Sequence, residues 1–382
     1  MLPVLLLGLF PVFAHSLRFI VMTFGTRGDT QPVIPLCLWI NERGHACAIA
    51  THNEDGEWIR SFGIDFIGIG KRDTPLQREF NDVAARYAGP KLSGVNSLKG
   101  IKAFKGFREN MRYSIYPEIY EKLAKEEFDV LISQRLFSIG RLIAHKLSVR
   151  HLAIGFFPTA VTGDFQFVVL GDAVFTEKHC CFNKMLRFNN RKTYLFRSLV
   201  NSDSIDYCVK EWGMSKREVR QIIADSDQEP EIIVMSPLVL DRPPEWGDQI
   251  KMVGFWQTDP VFAASPSGQP SAELAEFLIK RYPEQKIILM SFSWLAVGKR
   301  AESCLFQMLA AASRNGWKLV LDQGLAALHG KEFEDNVIVL NRPVAYTWLF
   351  NQVDLVIIHG GIGTIATAWT AGIVFSDLKI TI

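Results

Sequence analysis

The sequence has little of what marks several large functional classes. Net charge is only +2 over 382 residues, with 42 Lys and Arg against 40 Asp and Glu, and no lysine- or arginine-rich run occurs. A nucleic-acid partner therefore has no electrostatic support. No G-x-G-x-x-G follows a strand pattern, which argues against a nicotinamide-dependent oxidoreductase, and no P-loop is present. The six cysteines, Cys37, Cys47, Cys180, Cys181, Cys208 and Cys304, never take the C-x-x-C spacing of a zinc or redox site. Most lie in apolar stretches and read as buried thiols, so the pattern calls for no disulfide. The uncharged run Leu2–Ala14 is too short to span a bilayer. It reads either as the apolar region of a secretory signal, with Val12-Phe13-Ala14 as cleavage site, or as an extra segment packed on the first domain.

What is present is a long α/β alternation. Leu17–Phe24 is a continuous apolar strand, and Gln31–Arg43 has helical spacing, with Pro32 at its start and Gly44 closing it. His45–Thr51 is a second strand, Glu57–Phe62 a short helix and Asp65–Ile69 a third strand. This order predicts a parallel sheet with right-handed crossovers. Val130–Ser133, the helix Ile139–Leu147 and His151–Phe156 extend it. The polar stretch Lys71–Lys105 reads as a long functional loop. The aromatics that follow it, from Phe104 to Tyr120, and those of Phe156–Phe196 read as core or as an apolar acceptor pocket. Asp241–Asp248 and Ala264–Ser271 have loop and linker composition. The alternation then resumes with strands at Ile287–Met290, Lys318–Leu321, Val337–Leu340 and Asp354–Ile358, and helices at Ser303–Ser313 and Gly363–Ala371.

Two glycine-rich turns, one near each end of the chain, carry the chemistry. The first reads Gly25-Thr26-Arg27-Gly28-Asp29-Thr30-Gln31-Pro32, and the second His359-Gly360-Gly361-Ile362-Gly363-Thr364. Each stands where a strand hands over to a helix, which is where open α/β sheets bind ligands. In the second, glycines let backbone approach a phosphate, and the helix that follows offers unpaired amides. Thr364 adds a hydroxyl donor and His359 an imidazole. In the first, Asp29 either accepts a proton from an attacking hydroxyl or caps the following helix. Asp225-Ser226-Asp227 is formally a D-x-D metal motif, but its polar linker setting reads as solvated.

The strand before GTRGD-x-QP, the helix ending in RGH and the strand into Ala50-Thr51-His52 resemble the N-terminal domain of sterol-glucosyltransferase-type nucleotide-sugar glycosyltransferases. The resemblance runs on through Phe128–Ile132, Phe157–Thr162, Met235–Pro237, Pro243–Trp246 and Val253–Trp256. It continues in Pro343, Trp348–Phe350 and Val356–Thr364, covering Leu17 to Gly372.

The resemblance implies an α/β fold of two facing Rossmann-like domains, termed GT-B, with the second domain incomplete at its C-terminus. It divides the chain into an N-terminal extension (1–16), an acceptor-side domain (17–240), an interdomain segment (241–271) and a nucleotide-sugar domain (272–382). It also implies inverting transfer of a hexose, usually glucose, from a UDP-sugar to a hydroxyl of a sterol or other lipid. No metal is expected, and association with a membrane surface is compatible with such an acceptor. The family is cytoplasmic or membrane-associated, whereas a cleaved Leu2–Ala14 implies the secretory pathway. Asp29 matches the family's catalytic base. Gly28, Pro343, His359, Gly361, Gly363 and Thr364 match positions on the donor side.

Three departures stand out. The family's Gly-Phe-Gly-Ser turn is here Ser291-Phe292-Ser293-Trp294, and Gly324-Leu325 stands where Gly-Trp is common. The residues after Gly372 lack the family's Asp-Gln pair for the donor sugar. These departures point to an alternative, a catalytically inactive relative that keeps a nucleotide or lipid pocket.

Overall fold

The computed structural model describes residues 16–25, 27–71, 115–135, 137–160, 162, 202–257, 262–263, 268–292, 299–325, 332–358 and 360–377. Leu2–Ala14, most of the Lys71–Lys105 stretch, Phe104–Tyr113, nearly all of Phe157–Phe196, Cys180, Cys181, Ser293, Trp294, His359 and the last five residues lie outside them. The chain forms two compact units, and among the described residues the change falls between Trp256 and Gln257.

The first unit begins with β1 (Arg18–Met22), the single turn α1 (Arg27–Thr30) and α2 (Val33–Glu42). Pro32 takes the N-cap position of α2, and Gly44, at φ +79°, turns the chain into β2 (Ala46–Thr51). The predicted single helix Gln31–Arg43 is thus preceded by a separate turn that carries Asp29. Then come α3 (Gly56–Arg60), β3 (Asp65–Gly68), α4 (Tyr116–Leu123), β4 (Val130–Gln134), α5 (Ile139–Leu147), β5 (Arg150–Gly155), α6 (Lys216–Ala224), β6 (Glu231–Ile233) and β7 (Ile250–Met252). The sheet is parallel throughout, in the order β3-β2-β1-β4-β5-β6-β7. Beside β1, Ile20 faces Ala48 on one side and Leu131 on the other. Ile20 and Met22 bury one face of β1 against Ile139, Leu142 and Ile143 of α5.

The second unit contains α7 (Ala272–Ile279), β8 (Ile287–Ser291), α8 (Lys299–Asn315), β9 (Lys318–Leu321), β10 (Val337–Val339), α9 (Tyr346–Phe350), β11 (Leu355–Ile358), α10 (Ile362–Ala371) and β12 (Phe375–Asp377). Its parallel sheet runs β10-β9-β8-β11-β12. Alternation decides which core each residue joins. Ile287, Leu289, Val356 and Ile358 pack with Leu274, Leu349 and Phe350, whereas Ile288, Met290 and Ile357 pack with Leu305 and Ala312.

The cysteine expectation needs correction. Cys37 on α2 and Cys47 on β2 form a disulfide, with Cα atoms 5.2 Å apart. The Gly44 turn folds α2 back onto the strand that follows it, which brings the two apolar positions together. Cys208 is a buried free thiol, as expected of the pattern, and Cys304 is a half-buried one.

Candidate functional site

Both sheets reverse strand order beside their first strand, between β1 and β4 in the first unit and between β8 and β11 in the second. Such switch points leave a crevice outside the carboxyl ends of the strands. Both glycine-rich turns of the sequence leave these positions.

In the first unit Asp29 is half-buried, third in the four-residue turn α1. The cap position of α2 belongs to Pro32, so the capping role considered for Asp29 at that helix is not taken up. Its Oδ1 accepts a 2.9 Å hydrogen bond from Nε2 of Gln134, the last residue of β4. Gln134 Oε1 in turn accepts the Phe24 amide at 3.0 Å. The Gly25 amide donates to His52 Nε2 at 3.3 Å, at the end of β2. Beneath the turn, Thr30 Oγ1 lies 3.2 Å from both Thr23 Oγ1 and Thr51 Oγ1, and all three residues are buried. Polar side chains ending three strands thus hold one short turn. Gly28 is exposed in the same turn. Sequence reasoning missed Gln134 and His52 as site residues. The available signal was a polar residue closing an otherwise apolar strand.

In the second unit the chain passes from β11 through Gly360, at φ +89°, into α10, whose N-cap is Gly361. A Cβ on Gly363 would meet nothing within 4 Å. Glycine there is not demanded by internal packing and leaves the helix start open. Thr364 is half-buried in the first turn of α10. Beside it in the sheet, Ile358 pairs with Ser291, the last residue of β8. Ser291 Oγ lies 2.6 Å from the Tyr346 hydroxyl, which links β8 to α9. Pro343 is exposed just before α9. Asp322 ties the strand ends together by accepting the Phe292 amide at 2.5 Å and the Leu325 amide at 2.8 Å. His359 lies outside the described residues, so its expected donor role has no geometry here.

A second polar cluster in the first unit is structural. Ser133 Oγ lies 2.9 Å from His151 Nε2, and His151 Nδ1 lies 2.9 Å from Glu229 Oε2. This is the connectivity of a nucleophilic triad. Ser133 is only 1% exposed, however, and α5 crosses over it so closely that a Cβ on Gly140 would stand 2.6 Å from Ser133 Cβ. The hydroxyl is closed to substrate. Beside it, Arg141 pairs with Glu229 at 3.0 Å, and burial lowers its pKa from the ordinary value while Glu229 opposes the shift. Arg135 contacts Glu231 at 3.4 Å and Asp227 at 2.5 Å. Asp227 of the D-x-D sequence is exposed, as its linker setting suggested, and also pairs with the buried Arg135 guanidinium. Among the described residues no group of three or more His, Cys, Asp and Glu could hold a metal ion. No described helix is long and apolar enough to cross a membrane.

Known proteins resemble the chain in sequence and in fold. No family model matches the chain. It is 25% identical over 371 residues to a sterol 3-beta-glucosyltransferase of Glomerella lagenarium, covering 94% of this chain and 23% of that protein. A sterol 3-beta-glucosyltransferase of Neurospora crassa is 26% identical over 381 residues, covering 94% and 22%. The chain thus spans under a quarter of the length of these curated relatives. Among solved structures, the calicheamicin glycosyltransferase CalG4 superposes with a TM-score of 0.57 at 14% identity, covering 95% of this chain and 80% of that one. The rhamnosyltransferase SpnG, solved with thymidine diphosphate, gives 0.55 at 16% identity, covering 94% and 79%. SnogD from Streptomyces nogalater gives 0.53 at 15%, covering 95% and 81%. The chain is similar in sequence to sterol 3-beta-glucosyltransferases and has the α/β fold of the GT-B glycosyltransferases, with two Rossmann-like domains.

Proposed function

We propose that the protein is an inverting hexosyltransferase that moves a sugar, glucose by the names of its relatives, from a UDP-sugar to a hydroxyl of a sterol or similar lipid. Asp29 takes the proton of the acceptor hydroxyl as that oxygen attacks the anomeric carbon. The bond from the anomeric carbon to the diphosphate breaks, and UDP departs with the electron pair. The turn from His359 to Thr364, with Gly361 and Gly363, holds the diphosphate through the amides at the start of α10, where the helix dipole favours an anion. Pro343 and the segment to Tyr346 meet the nucleotide base, and Gly28 lies on the donor side of the first turn. The charge of the diphosphate is met by these groups without a metal ion.

The observation that carries this reading is the half-buried Asp29 carboxylate at the switch point of the first sheet, held by the side-chain amide of Gln134. A general base must be fixed within hydrogen-bond reach of the proton that it removes. The test is Asp29→Asn. Transfer from UDP-glucose to a sterol is expected to fall by about 10²- to 10⁴-fold, the usual contribution of a general base, while UDP binding is retained. Unchanged turnover removes Asp29 from the role.

A second reading, a binding protein that no longer transfers sugar, draws support from Ser291-Phe292-Ser293-Trp294, where glycines are expected. UDP binding by the unaltered chain, without transfer or hydrolysis, would favour it.

A further inference from the structure

We propose that Gln134 is the positioning residue for Asp29, its side-chain amide holding the carboxylate in the orientation from which it takes the acceptor proton. The inference rests on the reading of Asp29 as the base and extends it to a residue 105 positions away.

The orientation of the Gln134 amide follows from its partners. The Phe24 backbone N–H can only donate, so the side-chain oxygen faces it, at 3.0 Å. The NH₂ group is then turned to Asp29 Oδ1, which can only accept when ionised, at 2.9 Å. One side chain thus binds the backbone that leaves β1 and the carboxylate four residues after Gly25. Gln134 is 7% exposed at the end of β4, next to the Met22–Ser133 pair, so its own place is set by the sheet.

Asp29 needs such a partner. It sits on a single helical turn of four residues, too short to be rigid by itself. The hydroxyls of Thr23 and Thr51 fix the neighbouring Thr30 but leave the carboxylate to be aligned by other groups. A hydrogen bond to one carboxylate oxygen anchors that oxygen and favours one orientation of the group. Glutamine does not titrate, so it aligns the base without competing for its proton.

The test compares the full chain with D29N, Q134E, Q134L and the doubles D29N/Q134E and D29N/Q134L, in transfer from UDP-glucose to cholesterol in detergent micelles. Q134E keeps an oxygen for the Phe24 amide but sets a second carboxyl against Asp29, whereas Q134L removes the donor without adding charge. The two together, with melting temperatures recorded alongside, separate the loss of the donor from charge and from folding. Both single Gln134 variants are expected to lose kcat by about 10- to 100-fold, the effect of misplacing a reacting group, with KM for UDP-glucose unchanged. On the D29N background the same changes are expected to cost nothing further, because the group they align is gone. Wild-type kcat in Q134E overturns the inference, as does an equal loss in both backgrounds, which is what a purely structural role would give. If D29N itself turns over like the wild type, or the wild type transfers no sugar, the reading of Asp29 fails instead and takes this one with it.

Discussion

A Cβ on residue 25 would stand 2.9 Å from Asp29 Cγ, and Gly25 itself adopts a φ of +114°. Backbone conformation and the approach of the carboxylate therefore both demand glycine at this position. Gly25→Ala is expected to destabilise the first unit by about 1–3 kcal/mol and to displace Asp29. Urea unfolding and steady-state transfer check this. An unchanged midpoint with unchanged kcat would mean that the turn relaxes around the methyl group.

Thr364 offers its hydroxyl in the first turn of α10. A hydrogen bond to a charged group contributes about 1.5–3 kcal/mol. Thr364→Ala should therefore weaken UDP binding by roughly tenfold or more. Titration calorimetry reads this directly, and equal affinities would take Thr364 out of the diphosphate site.

The side chains of Arg135 and Glu231 are 7% and 1% exposed, and they pair at 3.4 Å. Thr159 also donates to Glu231. Removing one partner of such a pair strands a buried charge, at a cost of about 3–5 kcal/mol. Arg135→Ala should unfold at much lower denaturant, and Arg135→Met combined with Glu231→Gln should recover part of the loss. Equal stability of the two variants would show that water reaches Glu231 in the single mutant.

Burial pushes the Cys208 thiol up to about 12 from an ordinary value of 9.0. The folded state therefore keeps a proton that the unfolded chain gives up at lower pH. Its contribution to stability is fully present below about pH 9 and is lost as pH rises toward 12. Cys208→Ala should flatten the fall in stability over that range. The native thiol should also resist iodoacetamide at pH 8 and react once the chain is denatured, as peptide mass spectrometry would record. Rapid native alkylation would contradict the burial.

Much of the local structure was legible in the residues. The helix Ile139–Leu147 and the strand Lys318–Leu321 have the bounds that their patterns predicted, and most other strands differ by a residue or two at their ends. The short strands Glu231–Ile233 and Ile250–Met252 escaped notice, because three residues carry no clear alternation. Both glycine-rich turns also announced themselves, since positive φ at Gly25 and Gly360 selects glycine locally.

By itself, the sequence determined the alternation of strands and helices and the two glycine-rich turns, whereas Asp29 stood out only through the family resemblance. The alternation and the turns are local matters of hydrophobic period and backbone freedom. Only the tertiary structure decided what surrounds them. Strand order put β4 beside β1, and with it Gln134 beside Asp29. Placing β6 beside β5 brought Glu231 near Arg135, and folding α2 onto β2 joined Cys37 to Cys47. Every strand of a parallel sheet is apolar in much the same way, so its pattern says that it is buried but not which strand lies next to it. The partners of a polar residue at a strand end follow from that order alone.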